Sequence, residues 1–441
     1  MVTSRRRVSD FQAEPSGTSP EAVRKLRSTR VERAVCIFKC GRLLNAAGHA
    51  RPESLVKIRS TATRSQHIAN DPRKMSVAQN VTADKNVRFV GVDLFAGAGG
   101  MTLGAQRAGV EVLCCVENDS HARDTYRHNH PDIEMFETDI RQWQEFPRVP
   151  RGAVKILFGG APCQGFSTSN QRTRGLKNDN NWLFMEFLRV AEKWKPDWII
   201  FENVKGIAET EKGLFLKSIL CEVADLGYTV VHDFLQASDF GVPQRRTRLF
   251  VVGSRHGVKA AMPKPNGTKS PTVWEAISDL PVLKNGAAVS LLPYRCAPKS
   301  AYQTLMRGDL AECANHLVSR NFDYVIERYR YIPQGGNWES VPDHLMRNYS
   351  NKHNCHTGIY RRLREDEPSV VIGNYRKNML IHPRQDRGLS VREAARLQSF
   401  PDRFQFNGSI GFQQQQVGNA VPPLLAEKVM KAVIDSHLSD S

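Results

Sequence analysis

The sequence predicts an α/β protein organised on a doubly wound, Rossmann-like sheet, and three observations predict it. Short apolar runs recur from Val87 onward, as VRFVGVDLF, VEVLCCVE, VKILFGG, DWIIFENV and RLFVVGS. Segments of helical character separate them, and that alternation builds a parallel sheet with helices on both faces. The first run also ends in a glycine-rich turn that leads into a helical segment, and in such folds ligands sit at the carboxyl ends of the strands.

Before Val87 the pattern is different. Residues 1–84 carry 16 Lys/Arg against 7 Asp/Glu, so they hold +9 of the net charge of +17. They are rich in Ser, Thr and Arg, lack sustained periodicity, and are expected to be a basic, disordered extension with at most a short helix near 20–35. Met75 precedes the first strand by about a dozen residues, and the functional chain is expected to begin there.

Composition narrows the function classes. A pI near 9.6 suits a polyanionic partner such as nucleic acid. No run approaches the roughly 18 apolar residues of a membrane span, and no secretory signal opens the chain. Nine cysteines, odd in number and irregular in spacing, argue against a disulfide framework and for a reducing, cytoplasmic setting. No metal is expected. Cys313-x-x-His316 with His353, Cys355 and His356 fits no strong zinc pattern, and Cys36 and Cys40 lack a second ligand pair. Trp194 and Trp198 read as packing at a helix–strand junction.

The glycine-rich turn is Asp93-Leu-Phe95-Ala-Gly97-Ala-Gly99-Gly100, where glycines let the backbone bend and approach a ligand closely. Glu117 lies 20 residues beyond Gly97, at the end of the next strand, where a carboxylate can accept both ribose hydroxyls. Asp139, closing a third unit, is placed to accept from an adenine amino group. A nicotinamide or flavin cofactor is the rival reading, but the turn lacks G-x-G-x-x-G spacing. Solvated residues at strand ends are the bland one.

The reacting groups follow the strand VKILF. Cys163 stands in Gly159-Gly-Ala-Pro162-Cys163-Gln-Gly-Phe-Ser167, a tight loop at the ligand edge. Alone, such a cysteine is more often a packed residue than a nucleophile. Glu202 ends the next apolar strand and should reach the same edge. Gln244, Arg246 and Arg248 recur at period two, which places them on one face of an extended segment. A thiol, a carboxyl and cations together suit a specific problem: carbon 5 of cytosine is a poor nucleophile until a thiolate adds at carbon 6 and an acid neutralises ring N3.

These residues resemble the DNA cytosine-5 methyltransferase family, through DLFAGAGG at 93, VEND at 116, TDI at 138, GGAPCQGFS at 159, ENVKGI at 202, QRRTRLF at 244, VREAARLQSFPD at 391 and QVGNAVPP at 416. Together the motifs span nearly all of 87–430. The resemblance implies S-adenosylmethionine as co-substrate and double-stranded DNA as substrate, with the target cytosine flipped out. Cys163 becomes the nucleophile, Glu202 the N3 partner and Pro162 a backbone contact to the base. Phe95, Gly97, Gly99, Glu117, Asn118, Asp139, Ile140, Leu183 and Asn419 fall around the donor. It further implies a catalytic domain of 85–280 plus 411–441, a smaller, irregular target-recognition domain of 281–385, and a junction segment of 386–410. In that junction Val391, Ala394, Ala395 and Leu397 share one helix side, a packing role. The enzyme is expected to act as a monomer, and a cognate restriction endonuclease would act separately.

One departure is NDNNWLF at 178–184, where the family places an arginine near Asn180; Leu183 and Phe184 still match. Methylation of a tRNA cytosine is the competing activity, but the Cys-Phe-Thr stretch typical of that branch is missing. A DNA-binding homologue without catalysis would be expected to lose Cys163 or Glu202, and both are present.

Overall fold

The computed structural model describes residues 87–162, 183–209, 213–265, 267, 269–347, 358–373, 375 and 379–440. The extension 1–84, Met75, Cys163, Asn180, His353, Cys355 and His356 lie outside them.

A seven-stranded sheet organises the molecule. Its strands are β1 (Phe89–Leu94), β2 (Glu111–Val116), β3 (Glu134–Phe136), β4 (Val154–Gly159), β5 (Trp198–Val204), β6 (Thr229–Gln236) and β7 (Thr247–Ser254), in the order β3-β2-β1-β4-β5-β7-β6. The central strands are buried on both faces, which is why they read as continuous apolar runs without alternation. Pairing is parallel from β3 through β5.

The expected all-parallel sheet needs one correction. β7 runs antiparallel to both neighbours, β5 and β6. The run RLFVVGS has the composition of a buried strand, but composition does not encode direction. β6 joins β7 through a short turn at 237–246, too short for the crossover that a parallel connection requires.

Helices α1 (Gly100–Arg107), α2 (Ser120–Asn129), α3 (Leu183–Trp194), α4 (Gly206–Glu209) and α5 (Leu214–Asp225) connect the strands. Trp194 closes α3 and Trp198 opens β5, both buried, in the expected packing role. α6 (Val273–Ile277) and α7 (Ala301–Arg307) follow, with a two-stranded antiparallel ribbon of β8 (Leu291–Pro293) and β9 (Glu312–Ala314). Next come α8 (Asp323–Arg330), α9 (Val391–Leu397), α10 (Ile410–Asn419) and α11 (Pro423–Asp440). α11 returns to pack on α1, where an added Cβ on Gly104 would lie 2.5 Å from the Ala426 Cβ.

Among the described residues, two of the hydrophobic cores bear on domain organisation. The larger joins the sheet, α1, α9 and α11, and it includes Tyr302, Met306 and Cys313. A smaller one gathers Val325, Tyr329, Ile332, Trp338, Val341, Met346, Tyr360 and Ile381. The independent core in the 281–385 region is therefore built after residue 324, whereas α7 and β9 share the main core.

α9 was expected to pack on one side; every residue of it is buried. Its polar residues are satisfied internally. Arg396 bonds Asp279, Asp402 and the Ala276 carbonyl, Arg392 bonds the carbonyls of Ala314, Pro401 and Phe404, and Glu393 takes both terminal nitrogens of Arg387. Among the described residues no helix is long and apolar enough to cross a membrane.

Candidate active site

The turn after β1 is shaped by backbone conformation. Phe95 has φ 59°, a region few side chains enter, and Gly97 and Gly99 have φ of 55° and 94°. Gly97 faces open space: a Cβ there would meet nothing within 4 Å. At the end of β2, Glu117 locks this turn to the next strand. One carboxylate oxygen accepts the Gly97 N–H at 2.7 Å, and the other accepts those of Asn118 and Asp119 at 2.8 Å. Burial raises the Glu117 pKa, against the three N–H donors that favour its anion. Asn118 is exposed beside it.

The third strand's edge carries Asp139 and Ile140. The Asp139 carboxylate accepts the Arg141 N–H at 2.9 Å and pairs with the Arg141 guanidinium at 3.1 Å. Ile140 is buried, its carbonyl accepting from Arg189 on α3 at 2.7 Å. Leu183 is buried at the start of α3, and Asn419 is exposed at the end of α10.

The second half of the site forms where β4, β5 and β7 meet. Glu202 sits near the carboxyl end of β5, and Arg248 near the amino end of β7, with Val204 opposite Arg248 in the antiparallel register. The reversal of β7 brings Arg248 to this edge; a parallel β7 would carry the start of the strand to the opposite end of the sheet. Arg248 Nε lies 2.9 Å from Glu202 Oε1, and both side chains are nearly buried. Burial pushes the Glu202 carboxyl up, while the Arg248 and Arg246 charges oppose the shift.

Glu202 lies against the loop that leads to Cys163. A Cβ on Gly160 would come within 2.7 Å of Glu202 Oε2, so only glycine leaves room for the carboxylate. The adjacent Asn203 donates to the Ala161 carbonyl at 3.2 Å. Pro162 follows, exposed. Cys163 itself lies outside the described residues.

The expected common face of Gln244, Arg246 and Arg248 is not what forms. The chain turns through 242–246, with the Gln244 N–H on the Val242 carbonyl, and the strand begins only at Thr247. Gln244 is wholly buried, bonding the Leu397 carbonyl, Gln398 and the Ile372 N–H. Arg246 donates to the carbonyls of Ile372, Gly418 and Ala420. Both tie the sheet to segments around 372 and 418, and of the trio Arg248 bonds the acid. Asn203, Gly160 and Arg189 were not singled out from sequence; Asn203 and Arg189 act through backbone carbonyls and Gly160 through the room it leaves for Glu202, which no spacing rule reveals.

Of the residues named for a zinc site, Cys313 and His316 lie among those described. Cys313 is buried in the main core, and His316 bonds the Pro281 carbonyl and the Ser390 hydroxyl.

Comparisons with known proteins give the family. The model of the C-5 cytosine-specific DNA methylase family matches residues 89–435. Type II methyltransferase M1.HphI of Haemophilus parahaemolyticus is 35% identical over 79% of this chain and 87% of its own length. Type II methyltransferase M.Eco47II of Escherichia coli is 32% identical over 84% and 82%. A crystal structure of an Escherichia coli prophage-encoded chain, described as a DNA modification methyltransferase, matches with a TM-score of 0.64 at 25% identity, over 80% of this chain and 100% of that one. The chain belongs to the C-5 cytosine-specific DNA methylase family and is a DNA (cytosine-5)-methyltransferase.

Proposed function

We propose that this enzyme methylates a cytosine extruded from duplex DNA, with Cys163 as nucleophile, Glu202 as the acid at ring N3 and S-adenosylmethionine as methyl donor. The observation that carries this reading is the Glu202–Arg248 pair held against Gly160, three residues before Cys163. A flipped base is the substrate form that such a recessed pair can reach.

The donor site fits its ligand. Gly97 opens onto free space beside the Glu117 carboxylate, which suits a ribose, and Asp139 with Ile140 lines the edge where an adenine would lie. Phe95, Gly99, Asn118, Leu183 and Asn419 complete the set we assign to it. When bound, the donor supplies an electrophilic methyl group on a sulfonium.

The chain's own residues prepare the base. The Cys163 thiolate adds to carbon 6 while Glu202 gives a proton to N3, so the ring electrons collect at carbon 5 without a net charge. Burial moves the Glu202 carboxyl in the direction that favours its protonated, proton-donating form, with Arg248 and Arg246 opposing. Carbon 5 is then nucleophilic, the condition methylation requires. A separate base takes the carbon 5 proton as the C6–S bond breaks and the thiolate leaves, which restores the aromatic ring, with N3 returning its proton to Glu202. Arg248 holds Glu202 in place, Arg246 and Gln244 brace the surrounding backbone, and Pro162 presents its backbone to the base.

The region 281–385 would read the sequence, through side chains in RYRYIPQGGNW and YRRLREDEPSVVIGNYRKN that suit base edges. The type II names of the relatives favour a modification enzyme paired with a separate endonuclease. Bisulfite sequencing of DNA from a host expressing the chain tests the whole reading. A methylated consensus, lost in Cys163→Ala, is the expected result; label confined to tRNA would overturn it.

A further inference from the structure

The third strand's edge is held by a clamp from outside the donor site. Arg189, two turns into α3, donates through Nη2 to the carbonyls of Ile140 and Trp143, at 2.7 and 3.1 Å. Its Nε bonds Glu186 at 2.7 Å, one turn earlier on the same helix, and both side chains are about nine-tenths buried. Lys193 on the next turn reaches Gln144 at 2.6 Å. The turn 139–143 closes on itself through Gln142 N–H to Asp139 and Trp143 N–H to Ile140. Trp143 is buried, packed between Phe136 at the end of β3 and Phe146.

We propose that Arg189, oriented by Glu186, is a positioning residue that sets affinity for the methyl donor by fixing the Asp139–Ile140 edge. This rests on the reading of that edge as the adenine contact.

The chemistry favours arginine for this task. Nη2 carries two N–H groups, one for each carbonyl, while Nε is left for Glu186, which supplies the counter-charge that burial demands. The alternative way to hold such a turn is packing alone. Here the Trp143 indole Nε1 is buried without a hydrogen-bond partner, so the ring anchors the turn only by apolar contact. Rotation of the turn about that anchor is opposed by the two bonds from Arg189. An adenine read at its amino group needs the Asp139 region fixed to within a fraction of an ångström, the precision that two bonds to the turn's own carbonyls provide. α3 also starts at Leu183, so one rigid helix links two parts of the donor site.

Isothermal titration of S-adenosylhomocysteine into the intact enzyme tests the proposal, with Arg189→Met, Arg189→Lys and Asp139→Ala beside the parent. Arg189→Met is expected to weaken binding about tenfold, with Arg189→Lys in between, as removal of a supporting hydrogen bond around a binding residue typically does. Affinity for duplex DNA and kcat at saturating donor should stay near the parent's, with the loss confined to donor KM. A lowered melting temperature with unchanged S-adenosylhomocysteine affinity in both arginine variants, while Asp139→Ala weakens binding, overturns the clamp. Unchanged binding in Asp139→Ala instead overturns the adenine-edge reading on which the clamp rests. Arg189→Lys keeps a buried cation beside Glu186 and gives the reading if the methionine variant fails to fold.

Discussion

Single side chains in this enzyme do work that depends on what surrounds them, and Glu202 and Asp93 show two outcomes of burial. Glu202 keeps a bonded cation that opposes the rise burial causes; as the proposed acid at N3, its replacement in Glu202→Gln should cut methyl transfer about 10²–10⁴-fold while leaving donor binding intact, measured by single-turnover incorporation of labelled methyl. Asp93 has no cationic partner among the described residues, and burial lifts its pKa to about 8, with Thr102 donating to it at 2.6 Å and the Tyr126 hydroxyl 2.9 Å from Thr102. The folded state therefore retains a proton that the unfolded chain releases near its ordinary value of 3.8. Over that interval the folded state binds more protons, so stability falls as pH rises from about 4 to about 8 and is level beyond. Asp93→Asn should flatten this slope in urea melts taken at several pH values; an unchanged slope would show that Asp93 titrates normally. The sequence made Glu202 legible because it ends a strand beside a cysteine loop. It did not separate Gln244 and Arg246 from Arg248, because a turn that breaks the period of two is set by bonds to Ile372, more than 120 residues away.

At the scale of elements, direction and packing were harder to read than existence. Each apolar run became a strand, since burial on both faces leaves a strong signature, whereas β6 is half exposed and left none. The reversal of β7 is a property of its connection, and the Glu202–Arg248 pair depends on it. α9 likewise defeated an amphipathic reading because its charges are buried in pairs. Arg396→Met leaves Asp279 and Asp402 without their shared cation and should cost about 3–5 kcal/mol of stability by denaturant titration. The exposed Arg88–Glu111 pair is the contrast: Arg88→Ala should change stability by less than about 1 kcal/mol. Between α1 and α11 the limit is volume. Gly104→Val must push against the Pro423 carbonyl and the Ala426 side chain, and should lower stability by about 1–3 kcal/mol.

For the whole molecule, the question is how charge and fold divide along the chain. The family match begins at residue 89, the first described strand at the same residue, and both cores are assembled from residues after 86. The 16 Lys/Arg and 7 Asp/Glu of residues 1–84 therefore add a net +9 outside the stretch that the family match covers. Cations of that kind strengthen binding to any duplex in proportion to the counterions they release, and each neutralised phosphate steepens the salt dependence by about 0.9 in log–log slope. A chain starting at Met75 should thus keep its methylation consensus and its turnover at low salt. Its affinity for an unrelated duplex should be weaker and should fall less steeply between low and physiological salt, measured by fluorescence anisotropy at a series of ionic strengths. Loss of turnover in this shorter chain would show that the basic segment takes part in catalysis or folding, and an unchanged salt slope would show that its charges do not meet DNA.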